Sequence, residues 1–183
     1  SQLQPLVGRA GGRPLPDGIF VKPVPEDTDD WTHYLHTPSN NAVSHDKVVA
    51  PPRNMQWVAG PRYGRHHDRM SSISAVVTTG GRVFTIHDEG PRWSITMNPK
   101  WRLIARDAYN GKLLWKRNVP TWHTHMFRLK SGPASLPRRL VAQGSAVYAT
   151  LGLDASVSQL NAVTGETIRE YAGTDATTEN APL

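Results

Sequence analysis

The sequence predicts an all-β fold assembled from short antiparallel strands, on three observations. Gly and Pro contribute 15 residues each, so turns are frequent and long helices are disfavoured. From Met55 onward, runs of four to eight β-favouring residues alternate with Gly, Asn, Asp and Pro. Those runs also recur as a unit.

Residues 1–30 hold Gly11, Gly12, Pro14, Pro16, Pro23 and Pro25 and an acidic group at Glu26, Asp27, Asp29 and Asp30, with no sustained period. They read as an extended lead-in or linker. Residues 31–52 mix aromatics with Asn, Ser and Pro and read as an ordered loop whose Trp31 and Tyr34 need a core. Strands are expected at 55–59, 74–78, 82–87, 101–107, 112–119, 138–142, 146–152, 156–162 and 167–172, with helix confined to a turn or two.

Placed one under another, these runs form a repeat. Gly111 and Gly165 lie 54 residues apart, Trp57 and Trp115 lie 58 apart, and Val83-Phe84 matches Val147-Tyr148 at 64. The larger spacing places an insertion of about ten residues in the first copy, within residues 87–101. Each copy holds four strands, the last two joined at Gly111 or Gly165, where a tight turn needs positive φ. Four antiparallel strands at this period are the unit of a β-propeller blade. The division expected is an entry segment and outer strand at 31–60, blades at 61–120 and 121–173, and the start of a further blade or tail at 174–183. Two blades are fewer than the roughly four a closed propeller needs, so the chain reads as an incomplete part of one.

Ala105, Asp107, Gly111 and Trp115 fit A-x-D-x-x-x-G-x-x-x-W at every fixed position. The motif resembles the tryptophan-docking repeat of the pyrroloquinoline-quinone-like propellers, a family that includes quinoprotein alcohol dehydrogenases and the outer-membrane assembly lipoprotein. The resemblance implies that the Trp of one blade packs on the Gly turn of its neighbour, in a propeller of seven or eight blades. The second copy departs from the pattern, with Gln159, Asn161 and Arg169 in place of Ala105, Asp107 and Trp115. Trp31, Asn40-Asn41, Pro51-Pro52 and Met55-Gln56-Trp57 resemble the family's entry to a first blade. The runs DDWTHYLHTPSNNAVSHD, GRHHDRMSSISA, IHDEGP and LKSGPASLPRRLVA are similar to large bacterial propeller proteins typical of planctomycetes. The likeness spans residues 29–175 and implies an extracytoplasmic location, periplasmic or secreted.

The chemistry-bearing residues gather around the insertion: His66, His67 and Asp68; His87, Asp88, Glu89 and Arg92; His123 and His125. Such residues on blade loops suit metal binding or acid-base work. They equally suit turn-fixing hydrogen bonds and surface charge, and neither a full metal-ligand spacing nor a nucleophile motif accompanies them. The quinoprotein branch of the family implies pyrroloquinoline quinone with calcium. This chain has no cysteine for the vicinal-cysteine ring of those enzymes and no mappable calcium set, so the cofactor does not carry over. The six Trp residues read as packing, with a sugar-stacking platform on Trp93 or Trp122 as the alternative.

A net charge of +6 comes from 21 basic residues against 15 acidic ones, scattered singly or in pairs such as Lys116-Arg117 and Arg138-Arg139. This is a solvated basic surface rather than the stripe a nucleic acid requires. No stretch has the roughly 20 apolar residues of a membrane helix. The function expected is therefore a binding or scaffold module that engages a protein, peptide or carbohydrate and pairs with the remainder of its propeller or with further copies. The alternative is a propeller enzyme, either a quinoprotein-like oxidoreductase or a sugar-acting lyase or hydrolase.

Overall fold

A computed structural model describes residues 27–47, 51–65, 71–94, 96–123 and 133–175. The chain divides into two compact units, residues 1–29 with 44–51, and residues 30–43 with 52–183. In the first, the Asp29 carboxylate accepts hydrogen bonds from Ser44 Oγ and the His45 amide, and Asp46 accepts the Asp29 amide.

The second unit is essentially all-β, with a 3-10 turn at Leu136–Arg139 as its helical element among the described residues. Strands β1 (Ile73–Thr79), β2 (Arg82–Asp88), β3 (Trp101–Asp107) and β4 (Leu113–Asn118) form one sheet in that order. Strands β5 (Leu140–Gln143), β6 (Ala146–Thr150), β7 (Val157–Asn161) and β8 (Thr167–Tyr171) form another. All neighbours are antiparallel. Among the described residues no helix is long and apolar enough to cross a membrane.

Two expectations require correction. Residues 55–59 form no strand, and among the described residues none pairs with them in a ladder; side chains hold them instead, with Gln56 Nε2 donating to Tyr109 O and Trp57 Nε1 to Ala108 O. The strand expected from 138 starts at Leu140, since Pro137 fixes the φ of a 3-10 turn that runs through Arg139.

Period-two alternation sends one side of each sheet inward. In the first sheet, Val77, Phe84, Ala105 and Trp115 stand in register across four strands, with Ala75, Ile86 and Leu103 beside them. In the second, Ala142, Val147 and Leu160 form the matching row beside Leu140, Ala149 and Ser158. The apolar members of both sets are buried and form one core cluster. Burial of a side chain such as Phe84 or Leu160 contributes about 2 kcal/mol.

The two sides that meet are not equivalent by the internal repeat. The counterparts of Phe84, Ala105 and Trp115 are Tyr148, Gln159 and Arg169, which share a register row on the outer side of the second sheet. There the Tyr171 hydroxyl donates to Gln159 Oε1, and the Arg169 guanidinium lies 5.0 Å from the Tyr171 ring centroid.

Segment 30–32 fastens the first strands of both sheets. Asp30 Oδ2 accepts Thr79 Oγ1 and the Gly80 amide, Trp31 exchanges hydrogen bonds with Thr78, and Thr32 O accepts the Ala142 amide. Thr79 Oγ1 in turn accepts the Gly144 amide at 3.0 Å. The buried His36 packs 5.1 Å from the Trp31 ring.

Candidate functional site

The docking residues occupy one repeated arrangement. The Trp57 ring covers the turn at Gly111, where a Cβ would fall 2.5 Å from Trp57 Cε3, and the Trp115 ring covers Gly165, where a Cβ would fall 2.5 Å from Trp115 Cδ2. Each indole N–H donates to a carbonyl of the turn it covers, Trp57 to Ala108 O at 2.8 Å and Trp115 to Ala162 O at 3.1 Å. Gly111 and Gly165 have φ of 73° and 75°, so glycine is required there both for backbone conformation and for close approach. Arg106 and Arg117 brace the same turns by donating to Gly111 O and Gly165 O.

The insertion that follows β2 is organised by a residue the sequence reading passed over. Arg65 is buried, and its guanidinium donates to Asp88 Oδ2 at 2.7 Å, Pro91 O at 2.8 Å, Ser94 O at 3.1 Å and Met97 O at 2.6 Å. Asp88, fully buried at the end of β2, also accepts the Gly90 amide and the Lys100 amide through Oδ1. A buried charge is tolerable only when paired and hydrogen-bonded, and here both partners are. Gly90 fits against this pair because a Cβ would meet Asp88 Oδ1 at 2.8 Å. The only hint of Arg65 in the sequence was its place beside His66; its partner lies 23 residues away.

The remaining candidates take separate positions. Glu89 pairs with Lys116 Nζ. His87 alternates to the opposite side of β2 from Asp88; burial pushes its imidazole below the usual histidine value, an effect that the charges of Glu89 and Asp88 partly offset. His123 stacks 4.5 Å from the ring of Trp101, the cross-strand neighbour of Asp88, and its carbonyl accepts Trp101 Nε1. His66, His67, Asp68 and His125 lie outside the described residues.

Arg92 and Trp93 stand at the outer side of the insertion. Their backbone is bracketed by Pro91 O and Ser94 O, both bound to Arg65. Trp93 is 79% exposed. The Arg92 guanidinium lies 5.5 Å from the Trp93 ring and 5.7 Å from the exposed ring of Tyr63. Trp122, by contrast, is buried and donates to Ser74 Oγ, which makes it a packing residue.

The arrangement is suited to holding a loop rigid and presenting its outer side chains. The carboxylates of Asp88 and Glu89, the obvious acid-base groups, are each engaged by a cation. No family model and no curated protein matches the chain.

Proposed function

We propose that the chain is a segment of a β-propeller of the pyrroloquinoline-quinone-like repeat type and serves as a binding or scaffold module through its loop face. The recurrence of one tryptophan-on-glycine contact, Trp57 on Gly111 and Trp115 on Gly165, is the observation that carries the propeller reading. A side chain from one four-stranded unit seated on the turn of the next is how successive blades register. The binding reading is supported by the insertion, a preorganised display held by Arg65 and Asp88 with its carboxylates already neutralised. For the same reason the enzyme reading is disfavoured.

The partner that fits is the remainder of the propeller or further copies of the chain. Trp57 docks like the last strand of a unit, yet no strand pairs with it among the described residues. Sedimentation of the purified chain tests this: association with itself or with other propeller segments is expected, and a monodisperse 20.2 kDa monomer that binds neither overturns it. Elemental analysis and absorbance of the native protein test the module reading. Stoichiometric calcium, a transition metal or a quinone band would overturn it, as would a catalytic turnover lost in His87→Ala or His123→Ala. The resemblance also favours a periplasmic or secreted setting.

A further inference from the structure

We infer that Tyr63, Arg92 and Trp93 form a binding platform for an acidic polysaccharide, a chain of uronate rings; the inference rests on the binding-module reading and names its ligand. Trp93 carries the first part of the argument. Its indole is 79% exposed and shares the Arg92 guanidinium with the exposed ring of Tyr63, so the two rings make a patch rather than a single scattered apolar residue. It does not sit on a loose tip. The carbonyls immediately before and after Arg92-Trp93 are both bound by the buried Arg65 guanidinium, so little conformational freedom remains to be lost on binding.

Arg92 supplies the charge. Its guanidinium lies 5.7 Å and 5.5 Å from the centroids of two exposed rings, and among the described residues no carboxylate pairs with it, since Asp88 is engaged by Arg65 and Glu89 by Lys116. A cation flanked by aromatic faces suits a ligand whose ring has an apolar C–H side and a carboxylate at its edge. The indole takes the C–H side, and the guanidinium takes the carboxylate through paired N–H donors. A phosphate backbone is a poorer match. It offers no apolar ring face for the indole to cover, and the oligonucleotide arm of the test below separates the two anions.

Affinity electrophoresis of the full chain through gels containing polygalacturonate, dextran or no polymer tests the site. Polygalacturonate is expected to retard the wild type and dextran is not, with retardation declining as salt rises. Trp93→Ala and Arg92→Gln are each expected to weaken retention by about tenfold or more, while Tyr63→Ala gives a smaller loss. Melting temperatures should stay at the wild-type value because all three side chains are exposed; if one variant melts early, Trp93→Tyr, retaining a ring, should restore part of the binding. Retention unchanged in the variants overturns this site and leaves the module reading intact. Retention on dextran alone overturns the charge argument, and tighter binding of a single-stranded DNA oligonucleotide through the same residues overturns the sugar class. No retention on either polymer overturns the inference, whereas the module reading falls only on the cofactor or turnover results given above.

Discussion

Asp107 and Asn161 occupy the same place in the two sheets and accept the same pair of amides. Asp107 Oδ1 receives the N–H groups of Tyr109 at 2.8 Å and Asn110 at 3.1 Å; Asn161 Oδ1 receives those of Val163 at 2.8 Å and Thr164 at 3.2 Å. Both turns then close identically, with the glycine amide donating to the Asp or Asn carbonyl. The turn needs an acceptor oxygen three bonds from Cα, and the charge is incidental.

Exchange of the two residue types should therefore be mild. Asp107→Asn and Asn161→Asp are expected to change stability by less than about 0.5 kcal/mol, whereas Asp107→Ala and Asn161→Ala should each cost about 1–2 kcal/mol. Urea denaturation of the four variants measures this. A large loss in Asp107→Asn, with Asp107→Ala no worse, would mean that charge carries the effect.

Glycine at 111 and 165 is under two constraints at once, and Gly144, with φ of 59° and open space around its would-be Cβ, is under one. Gly144→Ala should cost about 1 kcal/mol. Gly165→Ala should cost roughly 2–4 kcal/mol, because the new methyl also displaces the Trp115 ring. Near-UV circular dichroism of the tryptophans should change in Gly165→Ala and stay constant in Gly144→Ala. Equal costs at the two positions would remove the close-approach argument.

The Arg65 and Asp88 pair should be far more costly to break than to replace. Arg65→Met alone leaves a buried carboxylate without its cation and three carbonyls without their donor, with an expected loss of about 3–5 kcal/mol. Removal of Asp88 as well, in Arg65→Met with Asp88→Leu, should recover part of that loss in thermal unfolding. Hydrogen exchange in segment 89–100 should be faster than in the wild type in both variants, since the loop has lost its anchor. Additive losses in the double variant would refute the coupling.

Acidification should weaken the fold through His87. Burial favours its neutral form, so below the ordinary histidine value of 6.5 the unfolded chain binds more protons than the folded one. Stability contributed by His87 is thus present above that value and is lost as pH falls through the lower folded value. His33, whose imidazole is also lowered by burial, adds in the same direction. Unfolding midpoints measured from about pH 8 to pH 5 should decline more steeply for the wild type than for His87→Gln. A steeper decline in the variant would reverse the sign.

What the sequence made legible was local. Gly111 and Gly165 marked both hairpin turns, and WRLIARD at 101–107 is β3 from end to end, since alternation and turn chemistry act over a few residues. The segment at 55–59 has the composition of a strand, but a strand also requires a neighbour's backbone, which no local pattern reports. Arg65 was missed for a similar reason: its four acceptors lie 23 to 32 residues away, and three are carbonyls without sequence identity. The three departures of the second copy from the motif differ in effect, which the substituted letters alone do not show. Asn161 preserves the turn, while Gln159 and Arg169 alter the outer side of the sheet.

On the propeller reading, that outer side is the surface that would meet the next unit. The two sheets join through unlike surfaces, and a contact of that kind has no twofold axis, so a row built from it has a head and a tail. At the tail end, hydrogen-bonding and charged groups at 148, 159 and 169 stand where the sheet contact buries an aromatic, a methyl and an indole. A further unit packed there, as the propeller reading proposes, would be held by polar contacts that water and salt compete with. The joint between the two sheets is apolar, and the surface beyond it is polar.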